Sequence, residues 1–173
     1  KWKGIATLAA VIANAVLAGA VAFPALLGSP LELMLPGTLV TGEVPVRVDA
    51  LSGWFILLIN FTFVTGGIYG FHYLKAYLPP SPPNIPISQY PNITLHCVAF
   101  LLVQSMLTLI CAVQHSLVFL FAWEIMALAA FVLVIFEHEK KDVIRAGVNY
   151  LVQSHLCILF LTVGFIWVAS RTD

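Results

Sequence analysis

Of 173 residues, 61% are hydrophobic and 9% charged, and the mean hydropathy is +0.99, which leaves too little polar surface to clothe a soluble globule. Eight Lys and Arg balance eight Asp and Glu, so the chain lacks the footprint of a nucleic-acid binder or of a basic peripheral anchor. What remains is an integral membrane protein whose lipid-facing backbone must be paired within each segment, and long apolar runs without alternation favour helices over a barrel.

Crossing about 30 Å of hydrocarbon takes about 20 helical residues. Five runs meet that length, at 4–27, 51–73, 94–113, 116–136 and 144–168, so an all-α fold of five transmembrane helices in a single membrane domain is expected. The first run is rich in Ala and Val, with Asn14 as its one amide, and stops around Pro24 and the Gly28-Ser-Pro30 turn signal. Lys1-Trp2-Lys3 ahead of it resembles the charged start of a signal peptide, but the run is long enough to span. The absence of an initiator methionine suggests an incomplete chain.

Residues 31–49 change character, and Val44, Val46 and Val48 alternate around Pro45 and Arg47 after Thr41-Gly42. That pattern predicts a short extracytoplasmic hairpin, with an irregular loop as the alternative. Asp49 or Ser52 is placed to cap the second span, which ends in Gly66-Gly-Ile-Tyr-Gly70, a small-xxx-small spacing that admits a close helix neighbour. Tyr69, Tyr73, Tyr77 and Lys75 read as an interfacial belt. The stretch 77–92 holds six prolines and predicts an extended cytoplasmic linker.

Only Gln114-His115 separates the third and fourth spans, which predicts a tight antiparallel helix pair. Residues 137–142 read as a charged, solvated loop in which Glu137 with Lys141, and Glu139 or Asp142 with Arg145, fall at helical pairing distance. Lys1, Lys3, Lys75, Lys140, Lys141 and Arg145 fall on one side, against Arg47 and Arg171 on the other. The positive-inside rule then predicts a cytoplasmic N-terminus.

Counting 1.5 Å per residue from the cytoplasmic helix ends puts Asn14, Asn60, Gln104, Glu124 and His155 all about 15 to 20 Å deep. The strongest polar residue of every span thus lies in one mid-membrane layer. Glu124 stands in the apolar run Phe121-Ala-Trp-Glu-Ile-Met-Ala-Leu128, where translocon scales set an acid's cost at roughly 2.5 to 3.5 kcal/mol. Such residues usually find a partner and mark an ion or proton route. Glu124 and His155, on consecutive helices, form a titratable pair able to hold or relay a proton. A neutral, hydrogen-bonded structural role for either residue is the alternative reading. His96 is expected at the inner interface, His72 and His138 in solvent, and Gln114 and His115 at the outer surface. Cys97, Cys111 and Cys157 sit singly in three spans without metal-ligand spacing, and no nucleophile–base set or phosphate loop is present, so neither a cofactor nor soluble-substrate catalysis is expected.

Four stretches carry a family likeness: Asp49-Ala-Leu-Ser-Gly-Trp-Phe55, the run ending Ile68-Tyr-Gly-Phe-His-Tyr73, Phe121–Leu128, and Ala146-Gly-Val-Asn-Tyr-Leu-Val-Gln-Ser-His155. Together they resemble the antiporter-like membrane subunits of respiratory complex I and its relatives. The Tyr150–His155 pattern is most similar to the large membrane subunit of formate hydrogenlyase and other energy-converting nickel–iron hydrogenases. The likeness extends from Gly4 to Trp167 and is most specific at Glu124.

The resemblance implies a subunit of about fourteen helices with two inverted five-helix repeats, of which this chain would supply the second to sixth. It implies that Glu124 is the proton-handling glutamate working with lysines on later helices, that His155 matches a histidine of the hydrogenase branch, and that the partners are other membrane subunits of a respiratory or hydrogenase complex within the bilayer. The chain departs from the pattern in lacking the preceding helix and the lysine-bearing helices, and in its long proline linker. Two other readings stay open, a subunit of a multisubunit sodium/proton antiporter and a non-transporting membrane anchor or assembly module.

Overall fold

The computed structural model describes residues 2–38, 41–73 and 92–172. The described elements are helices α1 (Trp2–Leu26), α2 (Ala50–Tyr73), α3 (Ile93–Ala112), α4 (Ser116–Val134) and α5 (Lys141–Thr172), with β1 (Leu31–Leu35) and β2 (Val44–Val48) pairing as a two-stranded antiparallel sheet between α1 and α2. Among the described residues, these five helices are long and apolar enough to cross a membrane. The protein is an all-α multi-pass membrane protein. Most of the proline-rich linker expected at 77–92, with Lys75 and Tyr77, lies outside the described residues. Its last residue, Asn92, caps α3 by accepting the Leu95 N–H at 3.1 Å.

Pro24 lies inside α1 without ending it, and the i→i−4 bond it cannot donate is the one to the upstream Ala20 carbonyl. The stop comes at Gly28, whose φ of +95° is the left-handed conformation that closes a helix, while the Ser29 N–H donates back to the Pro24 carbonyl at 3.0 Å. The chain then enters the hairpin, in which Leu31 faces Val48, Leu33 faces Val46 and Leu35 faces Val44. The alternation of β2 buries Val44 and Val48, and an exposed Arg47–Glu32 pair at 3.5 Å occupies the other face. Pro45 lacks an N–H, yet its carbonyl accepts the Gln114 N–H at 2.9 Å, which ties the hairpin to the α3–α4 turn.

Small residues set the helix spacing. A Cβ on Gly53 would sit 2.7 Å from the Ala22 carbonyl oxygen, so α1 and α2 meet backbone to backbone. Ala22, Ala25, Val48, Ile56 and Ala112 make the core there, and Ala99, Val103 and Ala129 make a second core between α3 and α4. In the Gly66–Gly70 stretch, Gly67 accepts Leu8 and Val11 of α1, whereas Gly70 has open space. On the far side, Gly147 of α5 sits under Phe131 of α4 and Ile135 at its C-cap, and Phe119 meets Phe165 edge to face at 5.7 Å.

At its N-terminal end α5 runs beyond the apolar 144–168 segment. Its first turn takes in Lys141 and Asp142, and an acid there suits the positive end of the helix dipole. The Glu137 carboxylate pairs with Lys140 at 2.7 Å rather than with Lys141, because the chain between Val134 and Lys141 is a turn and the helical spacing does not apply. This hydrogen bond holds the Lys140 ammonium above its ordinary pKa.

Candidate proton-handling site

Of the five polar residues in the mid-membrane layer, the structure pairs Glu124 with His155 and Asn60 with Gln104, and bonds Asn14 apart from both. Glu124 on α4 and His155 on α5 meet directly, with Oε1 and Nε2 2.8 Å apart. Their side chains are 30% and 45% exposed, so the pair lies at the open edge of the α4–α5 contact rather than at the centre of the bundle. The helix brings the second ring nitrogen within reach of its own preceding turn, and His155 Nδ1 lies 2.8 Å from the Leu151 carbonyl oxygen.

This geometry restricts where protons can sit. A carbonyl only accepts, so Nδ1 carries a hydrogen in the observed arrangement, and a neutral imidazole then presents a lone pair at Nε2. A bond to Glu124 needs one further proton, placed either on the carboxyl group or on Nε2. The pair is therefore complete as a neutral acid with a neutral imidazole, or as a carboxylate with an imidazolium. Both forms have the same net charge, and interchange moves one proton across 2.8 Å. Beside the ring, Leu151, Val152, Leu156 and Leu159 make an open, apolar face of α5.

The amides lie within α1, α2 and α3. Gln104, fully enclosed, donates from Nε2 to the Val11 carbonyl at 3.2 Å and to Asn60 Oδ1 at 2.8 Å. Asn60 in turn donates to the Ile56 carbonyl at 2.8 Å and to Thr108 Oγ1 at 3.4 Å, and Asn14 donates to Ser105 Oγ at 3.4 Å. Two backbone carbonyls fix the direction of this chain, since reversing either amide would set oxygen against oxygen. Gln104 Oε1 finds no hydrogen-bond partner among the described residues. The α3–α4 seam is apolar, built from Ala99, Val103 and Ala129 with Leu107 and Met126 against them.

Thr108 and Ser105 completed these amide contacts without being singled out from sequence. Their signal was positional, since Thr108 is one helical turn beyond Gln104 and Ser105 is adjacent to it. The Leu151 carbonyl left no side-chain signal at all. His115, expected in solvent, is partly buried and caps α4 by accepting the Val118 N–H at 3.5 Å. His96 packs its ring on Phe136 with centroids 4.5 Å apart. Among the described residues, no three His, Cys, Asp or Glu side chains come together as metal ligands.

Comparison with known proteins bears most directly on the C-terminal segment that carries the carboxylate and the imidazole. Residues 113–173 match the NADH:quinone oxidoreductase/Mrp antiporter transmembrane family. That segment contains the whole of α4 and α5, and with them both Glu124 and His155. The chain is also 30% identical over 127 residues to two uncharacterized proteins of Mycobacterium tuberculosis, one from each of two strains. The alignment takes in 73% of this chain and 18% of each relative, so the chain spans under a fifth of the length of the curated relatives it matches. The five apolar helices mark a multi-pass membrane protein, and the segment that holds α4 and α5 is similar to that transmembrane family.

Proposed function

We propose that this chain is part of a proton-translocating membrane subunit, in which Glu124 and His155 hold and pass a proton near the middle of the bilayer. The observation that carries the reading is the 2.8 Å contact between a carboxylate and an imidazole on two helices of the antiporter-family segment. A lone acid in a span is costly, and a partner that takes its proton without changing the net charge lets the site stay occupied in a low-dielectric setting. The amide residues Asn14, Asn60 and Gln104 support the site by fixing α1, α2 and α3 relative to one another.

Within this reading the larger assembly is a respiratory or hydrogenase complex of an inner membrane, with other membrane subunits as partners and the N-terminus in the cytoplasm. A multisubunit sodium/proton antiporter is the second reading, favoured by the Mrp antiporter half of the matched family's description. Replacing Glu124→Gln in the full-length protein within its native complex, reconstituted in vesicles, is expected to abolish proton movement while assembly persists. Normal pumping by that variant would sink the proposal and leave a non-transporting anchor. Transport that requires sodium would select the antiporter reading over the electron-transfer complex.

A further inference from the structure

Of the two strands in the hairpin, only β2 has its outer edge used by the rest of the described chain. Pro45 has no N–H, so its pair with Met34 cannot be one that exchanges two backbone bonds, and the bonded pairs of the ladder are Leu31–Val48, Leu33–Val46 and Leu35–Val44. The Pro45 carbonyl therefore points away from β1, where it takes the Gln114 N–H, and Val46 bridges to Val113 on that side. By the same alternation the N–H and C=O groups of Glu32 and Met34 point away from β2, and among the described residues no backbone bond reaches them.

Edge strands are ordinarily blunted by proline, a charge or a bulge. β2 carries Pro45 and Arg47, whereas β1, Leu31-Glu-Leu-Met-Leu35, has an unbroken register and neither proline nor a basic residue. The Leu and Val face of the sheet packs on α1, α2 and α3 through Leu31, Val46 and Val48, so the sheet lies across one end of the bundle. Leu33 and Leu35 share that face yet are 48% and 47% exposed, which puts the free edge beyond the helices beneath it. Approach to β1 from the side is open.

We propose that β1 pairs antiparallel with β1 of a second copy of this chain, centred on Leu33, so that two two-stranded sheets join into one of four strands. The strand is complementary to itself in this register alone. Centred on Leu33, Glu32 of each copy faces Met34 of the other, and their outward N–H and C=O groups all find partners. The neighbouring register toward one end sets Glu32 against Pro36, which has no N–H to give. The neighbouring register toward the other end sets Met34 against Pro30 and opposes the two Glu32 carboxylates. In the centred register each Glu32 faces Met34 instead and keeps its Arg47 partner at 3.5 Å. The two-fold axis of such a pair is perpendicular to the sheet, and with the sheet across the helix ends it runs along the bundle. Both copies then sit in one bilayer with the same orientation, and the contact is the same patch on each. Their helices already hold the two edges in a common plane, so pairing loses little orientational freedom.

The full-length protein in its own membrane tests the pairing, in a background of Cys97→Ala, Cys111→Ala and Cys157→Ala. Directly opposed residues of a non-bonded antiparallel pair have Cα atoms about 4.5 Å apart, within the span of a disulfide. Leu33→Cys lies at the centre of symmetry and is expected to oxidise to a disulfide dimer of twice the chain mass. Glu32→Cys faces position 34 of the other copy rather than itself, and at equal protein in the membrane is expected to give roughly tenfold less dimer. Adding Met34→Pro to Leu33→Cys deletes an outward N–H from each copy and leaves the β1–β2 ladder whole, so the dimer is expected to fall roughly tenfold. Absence of a dimer with Leu33→Cys, equal yields at positions 32 and 33, or a dimer unaffected by Met34→Pro would each overturn the pairing. A cross-link only to a chain of different mass would overturn it too, by giving the edge to another subunit.

Discussion

At residue scale, two kinds of buried polarity behave differently. The Gln104 amide donates twice, to Val11 and Asn60, and is fully enclosed, so its hydrogens are committed and none is free to travel. The Glu124–His155 pair is partly open and shares a proton that has two sites. Gln104→Met keeps the side-chain length, removes the unpartnered oxygen and strands two acceptors. A stranded acceptor costs about 1 to 3 kcal/mol, whereas an average interhelical hydrogen bond in a membrane is worth about 0.6 kcal/mol. The former governs here because Gln104 is fully enclosed. Gln104→Met is therefore expected to lower stability in a denaturant titration of the purified protein while leaving transport per folded molecule unchanged. Loss of transport with stability retained would place Gln104 in the proton path.

At the scale of elements, caps and close contacts decide where each helix begins and how near its neighbour lies. Asp49 Oδ1 accepts the Ser52 N–H at 2.8 Å, and this bond holds its carboxyl below the ordinary value of 3.8. With a lowered folded-state pKa, the contribution of Asp49 is complete above 3.8 and is lost as pH falls through the folded value. Asp49→Asn keeps an oxygen for the cap and is expected to remove that acid-side dependence with little change at neutral pH, whereas Asp49→Ala should lower the melting temperature at both pH values. Equal pH dependence in wild type and Asp49→Asn would show that the cap carries no linkage. Gly147 is the corresponding contact between α4 and α5, where any side chain would collide with Ile135. Gly147→Val is expected to cost about 1 to 3 kcal/mol by overpacking and to separate Glu124 from His155, so both stability and transport should fall.

At the scale of the whole molecule, α1, α2 and α3 form a pinned unit held by amides and small-residue contacts, and α4 joins them through an apolar seam. Helix α5 rests chiefly on α4, and Val148, Val152, Leu159, Phe160 and Val163 line its exposed side. The Glu124–His155 contact thus lies where the least enclosed helix meets the rest of the bundle. Single-cysteine labelling checks the orientation that the distribution of Lys and Arg predicts. Thr41→Cys in the hairpin region is expected to react with an impermeant reagent from outside, and Glu139→Cys only after the membrane is opened. Reversed labelling would invert the assignment.

Composition and run length by themselves determined the membrane class and the five spanning helices, because the cost of exposing backbone to lipid leaves few alternatives to an apolar helix. Sequence also singled out Glu124 and His155, since a charge in a long apolar run stands out by its desolvation cost. The tertiary structure alone decided how the polar layer is partitioned. Residues of similar depth can face any direction around a helix, and packing turned Asn60 and Gln104 toward each other and away from Glu124. It alone set His155 Nδ1 against the Leu151 carbonyl, a backbone group in which residue identity leaves no trace.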